Sequence, residues 1–209
     1  MKKNTFLSAL LLLLSTCCLA QDDKEMIKQT FNNYKSAILN DKGEEAVNYV
    51  DSRTLKYYAD ILEVIKHADS SVINASSLID KVTVLSVRHR ATREEILSMD
   101  GTGLFVYAIK KGMVGKNSVM NNTIGDIKID NGFAKGQLLV SGQPTEIYMH
   151  FYKEQDHWKI DLTSIFPIGN AAFKDMVEED GRPENEFIFM ILEYLTGKKP
   201  GLGIWQPLL

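Results

Sequence analysis

The chain has 209 residues, with 24 Lys and Arg against 27 Asp and Glu and a formal net charge of −3. Proteins that bind nucleic acid neutralise phosphates with clustered Lys and Arg. This sequence has no long basic stripe, which argues against a nucleic-acid role. Its length is enough for one ordinary domain that stands on its own core.

The first 20 residues have the pattern of a secretory signal peptide. Lys2 and Lys3 precede an apolar run from Phe6 to Leu14, and small residues lead to a cleavage site after Ala20. The apolar run is shorter than the roughly 20 residues that a membrane-spanning helix needs. The sequence therefore predicts export, to the periplasm or the medium, with no transmembrane span in the mature chain. The alternative is a lipoprotein signal, "LSTC", which would leave the protein anchored at a lipidated Cys17.

Cleavage after Ala20 would leave a mature chain without a thiol. Both cysteines, Cys17 and Cys18, lie before the cleavage site. Disulfides, thiolate metal sites and cysteine nucleophiles are excluded together on this reading. The loss of Lys2 and Lys3 also takes the formal charge from −3 to −5.

The first third of the mature chain is predicted to be helical. Apolar residues recur at the spacing of one helix face, and the first run stops near Gly43. A short second helix follows, and Asp51 or Ser52 is placed to cap a third. The face of the first helix is Ile27, Phe31, Tyr34 and Ile38, and that of the third is Leu55, Tyr58, Leu62 and Ile65.

The middle of the chain is expected to mix loop, strand and helix. The segment "SSVINASS", residues 70–77, reads as a polar loop. "VTVLSV", residues 82–87, is rich in β-branched residues and predicts a strand. The spacing of Thr92 and Glu95 is that of a capping box, which predicts a short helix. "GLFVYAIKKG" predicts another helix, which ends at its lysines and glycine.

From about residue 118 the hydrophobic period changes to two, which predicts four antiparallel strands separated by "DNG", "SGQP" and "EQDH". The simplest register of the last hairpin pairs Phe151 with Ile160, Met149 with Leu162, Lys153 with Trp158, Tyr152 with Lys159 and His150 with Asp161. The predicted inner face is apolar throughout, with glycines and an alanine where the sheet can bend. Its members are Gly125, Ile127, Ile129, Ala134, Gly136, Leu138, Val140, Ile147, Met149, Phe151, Trp158, Ile160 and Leu162.

This layout resembles that of the nuclear transport factor 2-like superfamily, which includes ketosteroid isomerases and SnoaL-like cyclases. The stretches "SMDGTGLFVYAIKKGMV" and "FYKEQDHWKIDL" are similar in particular to those of exported bacterial members of unassigned role. The resemblance covers about residues 23–165. It implies an α+β fold, a cone-shaped roll of N-terminal helices packed on a curved antiparallel sheet. The expected domains are a signal peptide at 1–20, the cone at 21–165, and a C-terminal helical extension at 166–209 packed on the same domain.

Enzymes of that superfamily place Asp, His or Tyr groups in the cone. The strand positions of this chain carry Ile, Met, Phe, Trp and Leu, so no catalytic residue is carried over. The favoured function is a non-catalytic binding module for an apolar small molecule or a protein partner, without a cofactor. The alternatives are an isomerase-, dehydratase- or cyclase-like enzyme using helix-borne groups, or a scaffold domain with a filled cone. The expected pocket is lined by Tyr34, Tyr58, Leu62, Met149, Phe151, Trp158 and Ile160, and the helix-borne groups of the enzyme reading are Tyr34, Tyr57, Tyr58, Asp60 and His67.

Two polar residues of the last hairpin are predicted to form an exposed surface pair. His150 and Asp161 should be cross-strand neighbours with Cβ atoms about 5 Å apart. A metal site is not predicted, because His157 would lie about 13 Å from Asp161 along the strand.

The C-terminal region is predicted to contain helices at about 170–179 and at 184–196, followed by an irregular tail. Trp205, Leu208 and Leu209 are costly to leave in water, so the tail should dock. Three sites are considered: the protein's own helices, the mouth of the cone as a lid, and a homodimer contact on the outer sheet face near Tyr148 and Tyr152.

Overall fold

A computed structural model describes the backbone of residues 4–114 and 116–209 and the side chains of residues 22–114 and 116–209. The fold is α+β, as predicted. The helices before the sheet are α1 (Asn4–Leu39), α2 (Gly43–Ala46), α3 (Ser52–His67), α4 (Ser70–Ala75), α5 (Leu78–Arg90), α6 (Arg93–Ser98), α7 (Gly101–Lys110) and α8 (Asn117–Met120). The sheet and the C-terminal helices are β1 (Asn122–Asp130), β2 (Phe133–Val140), β3 (Gln143–Glu154), β4 (His157–Asp161), α9 (Phe166–Asp180) and α10 (Glu184–Thr196).

Short polar side chains fix the starts of several helices. The buried carboxylate of Asp51 accepts a hydrogen bond from the Thr54 amide at 2.9 Å and caps α3. Thr92 and Glu95 form the predicted capping box of α6. Each cap satisfies amides that the first helical turn leaves without a partner.

Two predictions in the middle of the chain are wrong. The expected loop at 70–77 contains α4, because the Asp69 carboxylate accepts from the amides of Ser71 and Val72. The expected strand at 82–87 lies inside α5, which the Ser77 hydroxyl caps. Val84, Leu85 and Val87 are completely buried there. Burial of an apolar helix face outweighs the weak strand preference of β-branched residues.

The four strands form one antiparallel sheet in the order β1-β2-β3-β4. Two-residue turns with positive φ join them at Asn131–Gly132, Ser141–Gly142 and Gln155–Asp156, as expected for hairpins. The predicted register of the last hairpin is confirmed from His150↔Asp161 to Lys153↔Trp158. The expected Met149–Leu162 pair lies beyond it, because the ladder ends at Asp161 and a 3₁₀ turn, Leu162–Ile165, begins.

The predicted inner face needs a correction at β1. A bulge between Ile124 and Ile127 adds a residue, so that both isoleucines are buried. Gly125 consequently faces the other way, where a methyl group on it would lie 2.8 Å from Leu139 Cδ2. Val140, also expected inside, is 41% exposed beyond a second irregularity between β2 and β3.

The core lies between the sheet and the helices that cover one of its faces. Phe31, Phe105 and Phe151 are among its largest fully buried side chains. Ile160 is completely buried, and the Asp51 amide donates to its carbonyl at 2.9 Å. This contact ties the start of α3 to the edge strand β4.

The C-terminal region packs on the helices through two buried cations. Arg88 on α5 donates to the carbonyls of Ile65 at 2.8 Å, Ala68 at 2.7 Å and Ile204 at 3.1 Å, and so joins α3 to the 3₁₀ turn Leu202–Trp205. Lys81, also on α5, pairs with Glu184 at the start of α10. The prediction of a helix that begins at Pro183 and ends at Gly197 is confirmed.

Helix α1 extends through most of the segment predicted to be a signal peptide. Lys2, Lys3 and the Cys17 side chain lie outside the described residues. Among the described helices, none is both long and apolar enough to cross a membrane.

Candidate functional site

A cavity of about 320 Å³ lies between α1, α3, the sheet and the first turn of α9. The sheet contributes its floor and α9 part of its rim. Its lining is Phe31, Tyr34, Tyr58, Val114, Ser118, Val119, Asn122, Leu138, Ile147, Met149, Leu162, Ile165, Phe166, Ile168 and Gly169. The volume is within the range of small-molecule sites, about 300–1,000 Å³.

Two tyrosines, Tyr34 and Tyr58, line the cavity together with the polar residues Ser118 and Asn122. Tyr34 is 3% exposed and Tyr58 is 9% exposed. No hydrogen bond joins either hydroxyl to another of the described residues. Burial raises the pKa of Tyr58 to about 12 and raises that of Tyr34 further, with a contribution from the nearby Tyr58. Both hydroxyls therefore stay protonated at neutral pH and can donate to an acceptor in the cavity.

The described lining of the cavity contains no carboxylate, histidine, lysine or arginine. Acid–base catalysis at neutral pH needs a group whose pKa lies near the working pH. Asp60, one of the helix-borne candidates, is exposed and pairs with Lys56 at 2.6 Å. His67, another candidate, is half-exposed beside Glu63. Neither group lines the cavity.

The residues expected to line a pocket are divided between the cavity and the core. Tyr34, Tyr58 and Met149 line the cavity. Leu62, Phe151 and Ile160 belong to the core, with at most 2% exposure. Trp158 is also a core residue, at 2% exposure; it borders a different concavity, between α1 and β4, and its Nε1 donates to Asp23 Oδ1 at 2.8 Å.

The sequence reasoning missed the contribution of α9. Phe166, Ile168 and Gly169 form part of the cavity wall, although the helix was expected to begin only near residue 170. Pro167 in the first turn is the signal that could have placed the helix start earlier.

A polar cleft lies next to the cavity, and Phe166 borders both. Its acceptor is Asp80, whose carboxylate receives hydrogen bonds from the hydroxyls of Tyr57 and Ser77, each at 2.8 Å. The ring of Phe166 lies 4.7 Å from that of Tyr57. The Tyr57 hydroxyl, unlike those of Tyr34 and Tyr58, is therefore already occupied.

A third concavity, of about 380 Å³, is open between α1 and β4. Several of its polar groups bond to one another. Gln29 donates to Asn33 at 2.7 Å, and the Thr30 hydroxyl donates to the Trp158 carbonyl at 3.2 Å. The apolar cavity, with its two unsatisfied hydroxyls, is the better candidate site.

The predicted surface pair is not exposed as expected. His150 and Asp161 are cross-strand neighbours, but Asp161 is only 5% exposed. Its Oδ1 accepts from the amide of Thr163 at 2.9 Å and from the hydroxyl of Thr163 at 2.5 Å, which caps the turn after β4. Desolvation and the positive charge of Lys135 lower the pKa of His150, although Asp161 opposes the shift.

The tail docks on the protein's own helices, which was the first of the three sites considered. The amides of Leu208 and Leu209 donate to the Lys66 carbonyl. The first turn of α9, rather than α10 and the tail, borders the cavity. On the outer sheet face, Tyr152 lies under Arg53, whose guanidinium carbon is 3.6 Å from the ring centre.

In the part of the chain that the structure describes, no three His, Cys, Asp or Glu side chains are grouped to hold a metal ion. No known family, curated protein or solved structure matches this chain.

Proposed function

We propose that the protein is an exported, non-catalytic binding module that holds an apolar small molecule in the cavity between α1, α3 and the sheet. The observation that carries this proposal is an apolar cavity of about 320 Å³ lined by Tyr34 and Tyr58, whose hydroxyls form no hydrogen bond with the described residues. The alternative hypothesis, a scaffold domain whose cone is filled by its own side chains, does not account for this cavity.

The energetics favour a ligand with a large apolar surface. Removing apolar surface from water contributes about 25 cal/mol per Å². Leu138, Met149 and Leu162 offer such surface at the bottom of the cavity. An apolar ligand therefore gains most of its affinity from contact with the apolar lining.

The tyrosine hydroxyls restrict the ligand's chemistry further. A ligand that expels water from Tyr34 and Tyr58 without replacing the lost hydrogen bonds loses affinity. A carbonyl or ether oxygen near one end of the ligand replaces them. The proposed ligand is thus an apolar molecule with a single acceptor group.

The same lining supports binding over the enzyme alternative. Tyr34 and Tyr58 have pKa values raised well above neutrality, and the described lining offers no carboxylate or histidine. These groups can orient a ligand but are poorly matched to proton transfer at neutral pH.

Export and family membership belong to the same proposal. The N-terminal pattern from Lys2 to Ala20 supports export. Helices that cover one face of an antiparallel sheet support a place in the nuclear transport factor 2-like superfamily. The chain departs from the expected layout at 82–87, where α5 replaces a strand.

The cavity is tested with the uncharged dye N-phenyl-1-naphthylamine, whose fluorescence increases in apolar surroundings. Ile147→Trp fills the cavity from a partly buried position on β3. We expect the purified protein to bind the dye and this variant to bind about ten-fold more weakly, a loss of about 1.4 kcal/mol.

The matched control is Ile129→Trp, which makes the same change at a partly buried position of β1 outside the cavity lining. It should retain the affinity of the unmodified protein. Native mass spectrometry of protein from its own host should show a co-purified small molecule that Ile147→Trp loses. Equal dye affinity in all three proteins contradicts the proposal.

A further inference from the structure

The turn after α10 carries an unusually exposed group of apolar and basic side chains. We call it the C-terminal turn patch, and it consists of Tyr194, Leu195, Lys198, Lys199 and Leu202. Tyr194 is 84% exposed, Leu195 is 58% exposed and Leu202 is 80% exposed. Both lysines are also exposed. Helix α10 packs on the protein through other residues, since Phe187, Ile188 and Leu192 are its buried side chains.

The chain reversal after α10 places the patch at one end of that helix. Gly197 ends α10 with a φ of 67°. The Trp205 ring then stacks on Phe189, with ring centres 6.1 Å apart and the planes 10° from parallel. The chain therefore runs back along α10, and the patch occupies the reversal. Pro200, within this reversal, is buried.

The two lysines distinguish this patch from a simple apolar contact. Among the described residues, no carboxylate forms an ion pair with Lys198 or Lys199. The two lysines outnumber the neighbouring exposed Glu193, so the patch is locally positive on a chain whose net charge is −3. Lysines beside a tyrosine and leucines match a bilayer interface, where the aromatic ring lies at headgroup level and the lysines contact anionic headgroups.

We infer that the C-terminal turn patch is a docking site for an anionic lipid surface. Tyr194 and Leu202 enter the interfacial layer, and Lys198 and Lys199 contact the lipid phosphates. The contact is peripheral and reversible, because it involves only a few apolar side chains. This inference does not depend on the ligand cavity, whose lining includes none of the patch residues.

The test is co-sedimentation with vesicles of the exported protein, from which the predicted signal peptide has been removed. One set contains equal amounts of phosphatidylglycerol and phosphatidylcholine, and the other contains phosphatidylcholine alone. We expect binding to the anionic vesicles only, weakened by salt at about 0.5 M because the lysine contacts are exposed. The pair Tyr194→Ser and Leu202→Ser should weaken binding about ten-fold. The pair Lys198→Glu and Lys199→Glu should abolish it.

These substitutions lie at exposed positions, so the variants are expected to fold. The control is Val72→Ser on α4, an apolar side chain that is 52% exposed and lies outside the patch. It should bind vesicles like the unmodified protein. Absence of vesicle binding, equal binding to both vesicle types, or binding unaffected by the patch variants would overturn the inference. So would self-association that the patch variants abolish in sedimentation velocity without any vesicle binding.

Discussion

Tyr57 and Tyr58 are neighbours in sequence but have opposite hydrogen-bonding situations. The Tyr57 hydroxyl donates to Asp80 Oδ1 at 2.8 Å. Tyr58 lines the cavity, and its hydroxyl has no protein partner among the described residues. Burial raises the pKa of both, and for Tyr57 the Asp80 carboxylate adds to the shift. One tyrosine thus holds the fold together, while the other is available to a ligand.

This difference predicts that removing the hydroxyl oxygen destabilises the protein at Tyr57 but has little effect at Tyr58 or Tyr34. Tyr57→Phe leaves the Asp80 carboxylate without one donor and should lower the free energy of unfolding by about 1 kcal/mol. Tyr58→Phe and Tyr34→Phe remove hydroxyls that have no protein partner. These two substitutions should change the free energy of unfolding by less than about 0.5 kcal/mol. Urea unfolding followed by circular dichroism measures all three.

Tyr34→Phe and Tyr58→Phe serve as controls for each other, because both lie in the same cavity wall. A buried hydrogen bond usually contributes about 1 kcal/mol. If either substitution lowers the free energy of unfolding by about 1 kcal/mol or more, the hydroxyl is held by a partner in the folded protein. That outcome would remove the ligand-facing role assigned to the tyrosine.

Capping residues predicted the ends of several helices correctly. Asp51, Thr92 and Gly197 marked real helix ends, because each satisfies a backbone group or adopts a conformation that the terminus requires. The same logic applied to Asp69 and Ser77 would have found α4 and α5. The β-branched content of 82–87 was the weaker signal, because strand preference depends on the surroundings.

Arg88 connects three elements that no local pattern in the sequence links. Its guanidinium donates to carbonyls at the end of α3 and to Ile204 in the tail, while its own position is on α5. Burial lowers its pKa, but an arginine stays charged at neutral pH. The carbonyl dipoles stabilise the buried cation without a carboxylate, and the guanidinium in turn satisfies carbonyl groups at the end of α3.

Arg88→Met should be strongly destabilising. The methionine fills part of the space but leaves the carbonyls of Ile65, Ala68 and Ile204 without their donor. A loss of about 3 kcal/mol in the free energy of unfolding is expected, since each orphaned buried group costs about 1–3 kcal/mol. Thermal and urea unfolding measure the change.

The matched control is Arg182→Met, which removes an exposed arginine whose ion-pair partner is Asp180. This substitution should lower the free energy of unfolding by less than about 0.5 kcal/mol. If Arg88→Met is equally mild, the tail and the end of α3 do not depend on the guanidinium.

At the scale of the whole molecule, the sheet was the part most open to prediction. Alternation along β3 and β4 fixes one register, because a slip by one residue exchanges the buried face for the exposed one. Phe151, Trp158 and Ile160 are accordingly buried. The bulge at Gly125 could not be predicted from the alternation of apolar and polar residues. Either register of β1 places an isoleucine on the inner face, Ile124 in one and Ile127 in the other.

The cavity was only partly foreseeable for a different reason. Which apolar residues line an open space and which fill the core depends on the positions of elements far apart in sequence. Met149 and Phe151 alternate identically on β3, yet only Met149 lines the cavity. The space above Met149 is bounded by the first turn of α9, whose position depends on the 3₁₀ turn at Leu162–Ile165.

The described contacts indicate that the fold would tolerate the predicted loss of residues 1–20. Among the described side chains of the remaining chain, an early one with defined partners is Asp23, which accepts from Trp158 Nε1 at 2.8 Å and pairs with Lys153 at 2.9 Å. Ile27 and Phe31, the first core residues of α1, follow it. The predicted cleavage after Ala20 would spare all of these contacts.

Expression of the full chain in a bacterial host should therefore yield an exported protein that begins at Gln21. The positive start, the apolar run and the small residues before Gln21 are the features that the export and cleavage machinery requires. Intact mass and N-terminal sequencing of the exported fraction identify the new terminus. Ala20→Arg, which places a large charged residue at the cleavage site, should leave the uncleaved precursor, while Cys17→Ser should be processed normally. A lipid-modified chain that begins at Cys17, lost in Cys17→Ser, would contradict cleavage after Ala20 and establish the membrane-anchored alternative.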